Sequence, residues 1–286
     1  MEQITKNQGN LPLKRPAKYN SFSFIKALML CFFINGVIYI VNRAFDLLNM
    51  YTSFVSSIAY LIIVIAIIYK SDKQELRRIF AWRKISFPEF AAVLIMFCGA
   101  IILYFKLCQI IPLFLPVPDG FWSSWYDNPS NYFLLIISVC FFPGFTEELF
   151  FRGLVLRRFY STYSPFKALI FSSVIFGLMH INPWQMITTT FMGILLGWIY
   201  IRYKSIWLCM FLHALNNFIS ISVVFPSIEK YNSGFYTYTV MQPLWFDFIG
   251  LVLFLFGLTF ILLLRKETVP RKKTAEGVLC PQVVGK

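Results

Sequence analysis

Apolar runs broken by short polar or basic segments occupy the chain from about residue 22 to residue 264. A helix rises ~1.5 Å per residue, so about 20 mainly apolar residues cross the ~30 Å hydrocarbon layer of a bilayer. Eight runs are read as spans: about 22–42, 51–69, 89–111, 131–155, 165–182, 184–201, 205–225 and 244–264. A helix satisfies its own backbone hydrogen bonds in lipid, so the pattern predicts an all-α polytopic membrane helix bundle of about eight transmembrane helices. The fifth and sixth runs are separated only by Asn182-Pro183, a dipeptide that turns the chain because proline disfavours helix in the residue before it. Ile111 to Asn131, with four prolines, Asp119-Gly120, Trp122, Trp125 and Tyr126, reads as an interfacial loop.

Composition agrees with a bilayer as solvent: of 286 residues, 58% are hydrophobic, 19% aromatic and 14% charged, too apolar for a soluble domain. We expect one membrane domain, 22–264, between basic tails at 1–21 and 265–286. The net charge of +13 is spread in short clusters between apolar runs, which points to anionic lipid as partner and away from nucleic acid. With both termini on one face, that face collects 23 of the 26 Lys and Arg residues, leaving Arg43, Lys106 and Lys230 opposite. The positive-inside rule then places both termini in the cytoplasm of a multi-pass cell-membrane protein, and an even number of spans agrees. Six cysteines (Cys31, Cys98, Cys108, Cys140, Cys209 and Cys280) show no CxxC spacing, so neither a disulfide framework nor a cysteine metal site is indicated.

The fourth run carries Phe141-Phe142-Pro143-Gly144-Phe145-Thr146-Glu147-Glu148-Leu149-Phe150-Phe151-Arg152-Gly153. A charge near the bilayer centre costs roughly 2.5–3.5 kcal/mol even on lenient scales, so intramembrane carboxylates suggest function. Glu148 and Arg152, four apart, share a helix face and can pair, while Glu147 lies about 100° around and stays available for another task. Both histidines of the chain, His180 and His213, fall inside apolar runs, and Asn217 shares the face of His213 while Asn216 points elsewhere or at best partly inward. Rises of about 15, 20 and 14 Å from Arg157, Lys167 and Lys204 bring Glu147, His180 and His213 to one mid-membrane depth. Singly, a Glu–Arg pair or an intramembrane His or Asn can be structural; their joint occurrence weakens that reading.

Glu147-Glu148-x-x-x-Arg152, Phe176-x-x-x-His180 and His213-x-x-x-Asn217, in order on separate apolar runs, resemble the three motifs of the CPBP intramembrane protease family, also called the CAAX protease and bacteriocin-processing or Abi family. The resemblance covers about residues 131–225. It implies hydrolysis of a peptide bond in the membrane: Glu147 activating water with His180, Glu148 and Arg152 supporting the first motif, and His213 with Asn217 stabilising the oxyanion. A carboxylate desolvated among Phe145, Phe150 and Phe151 is a suitable general base, and donors in a dry site stabilise an oxyanion well. A catalytic divalent metal such as zinc, held by a glutamate and two histidines, and a metal-independent glutamate mechanism both stay open. HExxH is absent, and no Ser or Cys is tied by spacing to either histidine.

Rival readings are a non-catalytic bacteriocin-immunity or scaffold protein, which would use the fold without turnover, and a proton-coupled transporter, which an absent inverted repeat disfavours. The expected substrate is a membrane-associated peptide or protein. The end of the chain, Cys280 to Lys286, is not itself a CaaX box, having seven residues from the cysteine.

Overall fold

A computed structural model describes residues 50–71, 79–80, 85–115, 136–180, 182–224 and 241–268, with Met29, Phe33, Gly36, Val37 and Phe133. Most of the first expected span, residues 116–131 of the expected loop, the N-terminal tail and all but the start of the C-terminal one lie outside the described residues; the start of that loop, 111–114, is helical instead, the apolar helix before it running on through Pro112. Every regular element among the described residues is helical. In chain order they are α1 (Met50–Ser71), α2 (Phe87–Phe114), α3 (Ile137–Phe141, Phe142–Glu148, Leu149–Leu156 and Arg157–Thr162 joined end to end), α4 (Pro165–Leu178), α5 (Pro183–Tyr203), α6 (Ile206–Ile219, extended by Ser220–Val224) and α7 (Leu244–Thr268). Each of the other seven expected runs thus contains a helix. Phe87–Phe114, Pro183–Tyr203 and Leu244–Leu264 are long and apolar enough to cross a membrane.

Local chemistry sets the helix ends. Ser164 and Asn182 accept hydrogen bonds from the backbone N–H of Lys167 and Gln185, and a proline follows each cap at the first helical position, where its missing N–H costs nothing. Lys204 (φ 53°) closes α5 in the left-handed conformation, its N–H bonded to the Tyr200 carbonyl, and Ser205 caps α6 at once. The fifth run ends earlier than its apolar length suggests. Helix α4 stops at Leu178, leaving Met179 and His180 in a turn, because the Asn182-Pro183 cap claims the next residues for α5.

Two π-helical stretches, Ile137–Phe141 and Leu149–Leu156, widen α3. Pro143, having no N–H, cannot close the ordinary i→i−4 bond onto the Val139 carbonyl, which gives the first stretch a local cause. All eight residues of the second are buried, as expected of a helix apolar on every side at the centre of a bundle.

The chain divides into two compact units. One comprises 1–84 and 104–242. In it α3 is flanked by α1, α4 and α6, and α4 packs along α5. Gly144 lets α6 come close: a Cβ there would lie 3.0 Å from the Ala214 nitrogen and 3.2 Å from the Met210 carbonyl oxygen.

The other unit comprises 85–103 and 243–286 and pairs the first part of α2 with α7. A Cβ on Gly257 would run into the backbone of Ala92 and Met96, and one on Gly99 into Gly250 and Phe254. Small residues let membrane helices touch backbone to backbone. Gly257→Leu should therefore destabilise this pair by about 1–3 kcal/mol or more through overpacking, read as a lowered unfolding midpoint in detergent.

Candidate active site

Three helices of the first unit bring the chemistry together. Helix α3 supplies Glu147, Glu148 and Arg152, the turn after α4 supplies His180, and α6 supplies His213, Asn216 and Asn217.

Glu148 and Arg152 form the buried centre, 0% and 1% exposed. The Arg152 Nη1 donates to Glu148 Oε1 at 2.6 Å and its Nη2 to the Gly193 carbonyl at 3.1 Å, while the guanidinium lies 4.8 Å from the Phe176 ring centroid. A delocalised cation suits such a place, since its flat face tolerates an aromatic ring and its edge serves two acceptors. The expected i,i+4 pair is therefore present, and it is also tied to α4 and α5.

The same Glu148 oxygen is 2.7 Å from His213 Nδ1. Paired with Arg152 it acts as acceptor, so His213 carries its proton on Nδ1 and turns Nε2 the other way. That nitrogen is 3.8 Å from Glu147 Oε2, too long for a hydrogen bond and short enough for the two to share one reacting group. Glu147 keeps 22% of its side chain exposed, and its Oε2 is buried with no hydrogen bond among the described residues. The two adjacent glutamates thus differ as the helix geometry predicts: one is locked in an ion pair and the other is poised.

His180 is fixed in a comparable way. Its Nδ1 lies 3.0 Å from the Phe176 carbonyl, which can only accept, so this ring also holds its proton on Nδ1 and leaves Nε2 for other work. Phe176 joins the two histidines: the ring centroids of His180 and His213 stand 5.3 and 5.9 Å from its own, both edge-to-face. No hydrogen bond joins Glu147 to His180 among the described residues. Asn217 donates from Nδ2 to the Val139 carbonyl at 3.0 Å, and its Oδ1 accepts from Asn216 Nδ2 at 3.2 Å.

Asn216 is more enclosed than a partly inward position would make it: it is 5% exposed and bonded to Asn217, with both α3 and α5 packed against α6. Phe176 is more than a spacer before His180, since it meets Arg152 and both histidines; the clue was its place in the motif, but only tertiary packing reveals the contacts.

Among the described residues, no three His, Cys, Asp or Glu side chains gather in a metal-holding arrangement, so the residues present do not fit the proposed three-ligand site. An apolar groove of about 300 Å³, lined by Val174, Leu178, Met186, Ile187, Thr190 and Phe191, contains none of the site residues.

Fold and site together define the class: an apolar helix bundle that encloses two glutamates, an arginine and two histidines. Comparison with known proteins points to a membrane peptidase family. Residues 129–219 match the family described as type II CAAX prenyl endopeptidase Rce1-like. A Bacillus subtilis (strain 168) protein named "Putative membrane peptidase YdiL" is 30% identical over 98 residues, covering 34% of this chain and 40% of that protein. These matches bear out the resemblance to the CPBP/CAAX protease family over the segment that holds all three motifs. The chain spans about two fifths of that relative's length. No solved structure matches the chain.

Proposed function

We propose that the chain is a multi-pass cell-membrane endopeptidase, with both termini cytoplasmic, that hydrolyses a peptide bond of a membrane-associated peptide or protein. The observation that carries this reading is the apposition of a poised Glu147 carboxylate and His213 Nε2, with the far side of His213 anchored on the buried Glu148–Arg152 pair.

Glu147 acts as general base on the attacking water, with His180 as its partner through the Nε2 that its bond to Phe176 leaves available, and gives the proton it has taken to the leaving amine as the oxyanion collapses and the C–N bond breaks. Asn217, through its second amide N–H, donates to the oxyanion that forms as the carbonyl is attacked, and His213 joins it from Nε2 when the ring holds a proton on each nitrogen, one facing Glu148 and one facing the site. Glu148 and Arg152 hold His213 in position. Apolar helices around the site favour the lipid bilayer as its setting, which confines substrates to segments that enter or lie on the membrane.

The test is cleavage of an internally quenched apolar peptide library by the purified full chain in liposomes. His180→Ala should lower turnover by about 10²–10⁴-fold and Asn217→Ala by about 10²–10³-fold, as for loss of a proton-transfer partner and of one oxyanion donor. Wild-type rates in both variants would sink the assignment. Chelator should leave the wild type unaffected, and inhibition reversed by added divalent metal would replace this mechanism with a metal-dependent one.

A further inference from the structure

We propose that Asn216 and Pro143 are positioning residues that together aim the Asn217 amide, so that one of its N–H groups is committed to the protein and the other is presented to the reaction. The inference rests on Asn217 acting as an oxyanion donor.

An asparagine amide has two donors and one carbonyl oxygen, and it can ordinarily be turned over without changing shape. At Asn217 that freedom is removed. The Val139 carbonyl can only accept, so the group facing it at 3.0 Å is Nδ2. Asn217 Oδ1 then faces Asn216, and the group of Asn216 that meets it at 3.2 Å is an NH₂. Two contacts at opposite ends of the amide fix its plane, and with it the direction of the second N–H on Nδ2.

Each contact has its own cause in the sequence. A non-proline residue at 143 would bring an N–H four residues after Val139, a competing donor for that carbonyl; Pro143 brings none. Gly144 allows the close approach of α6 that puts Asn217 within reach. Asn216 is buried at 5% exposure, and its Oδ1 has no hydrogen-bond partner among the described residues. Burying an amide with an unmade acceptor is a cost that a leucine of similar size would avoid, so packing alone does not explain an asparagine here. Orienting its neighbour does. Donors stabilise a developing oxyanion best when they are aimed before the charge appears, so the clamp should act on the chemical step and hardly on substrate binding.

A double-mutant cycle on the full chain in liposomes, with the same quenched peptide library, tests this. Asn216→Ala and Asn216→Leu, neither of which can donate, should each lower kcat by about 10–100-fold with KM changed less than about threefold, a fraction of the effect of deleting a donor. Pro143→Ala should lower kcat in the same manner, without a matching change in KM. In an Asn217→Ala background Asn216→Ala should cost less than about threefold more, because the clamp has nothing left to aim. Independent losses that multiply, or an Asn216→Ala variant with wild-type kcat, would overturn the proposal while leaving the peptidase reading intact. Asn217→Ala at the wild-type rate would instead remove the oxyanion role, and the inference with it. Side-chain amide exchange, followed by NMR on ¹⁵N-asparagine-labelled protein in detergent, decides the point even without turnover. The Asn217 amide should be protected in the wild type and lose protection in Asn216→Ala; equal protection in both would overturn the clamp.

Discussion

Glu147→Gln should abolish peptide cleavage and leave the protein folded. The substitution keeps the size of the side chain and removes only its capacity to take a proton, an effect of about 10²–10⁴-fold for a general base. Its stability cost should be small, because Glu147 is partly exposed and its Oε2 makes no hydrogen bond among the described residues. The measurement pairs turnover in liposomes with the unfolding midpoint in detergent. Lost turnover at an unchanged midpoint supports the assigned base. Cleavage at the wild-type rate would mean that the carboxylate is not the base. A membrane phenotype that survives Glu147→Gln without any cleavage would favour the binding-only alternative.

Arg152→Leu should have the opposite character and act first on stability. Arg152 is the cation for Glu148, and also reaches the Gly193 carbonyl and the Phe176 ring. Its removal leaves a fully buried carboxylate without its charge partner, a loss of about 3–5 kcal/mol in comparable buried pairs. The unfolding midpoint or the yield of folded protein reads it. Removing both charges, Glu148→Leu with Arg152→Leu, should recover much of that stability, since a buried pair roughly breaks even against apolar side chains of similar volume. It should not recover cleavage, because His213 then has nothing on Nδ1. If stability is no better in the double variant than in Arg152→Leu, the pair is not the electrostatic unit described above.

Much of this arrangement is legible in the sequence, for identifiable reasons. Apolar run length gives α1, α2, α5 and α7 to within about four residues at either end, because bilayer thickness constrains helix length and leaves few alternatives. The Glu148–Arg152 pair follows from helical spacing alone. The end of α4 does not, because the apolar run continues past Leu178 and only the capping of α5 by Asn182 shows where the chain turns. The full enclosure of Asn216 is missed for a related reason: helical phase places it away from Asn217, but it does not reveal that α6 is enclosed on more than one side. The hub role of Phe176 depends on contacts with three other elements, which spacing within one motif cannot encode.

The attachment of His180 ties the proposed catalysis to a helix end. Its imidazole stands in for the backbone donor that the Phe176 carbonyl would meet if α4 ran on, so the proposed partner of the general base doubles as a stopper for a helix of 14 residues. Helix ends loosen before helix middles do. Warming should consequently silence the enzyme some degrees below the temperature at which the bundle melts, and cooling should restore it, because only the final turn of α4 has come undone.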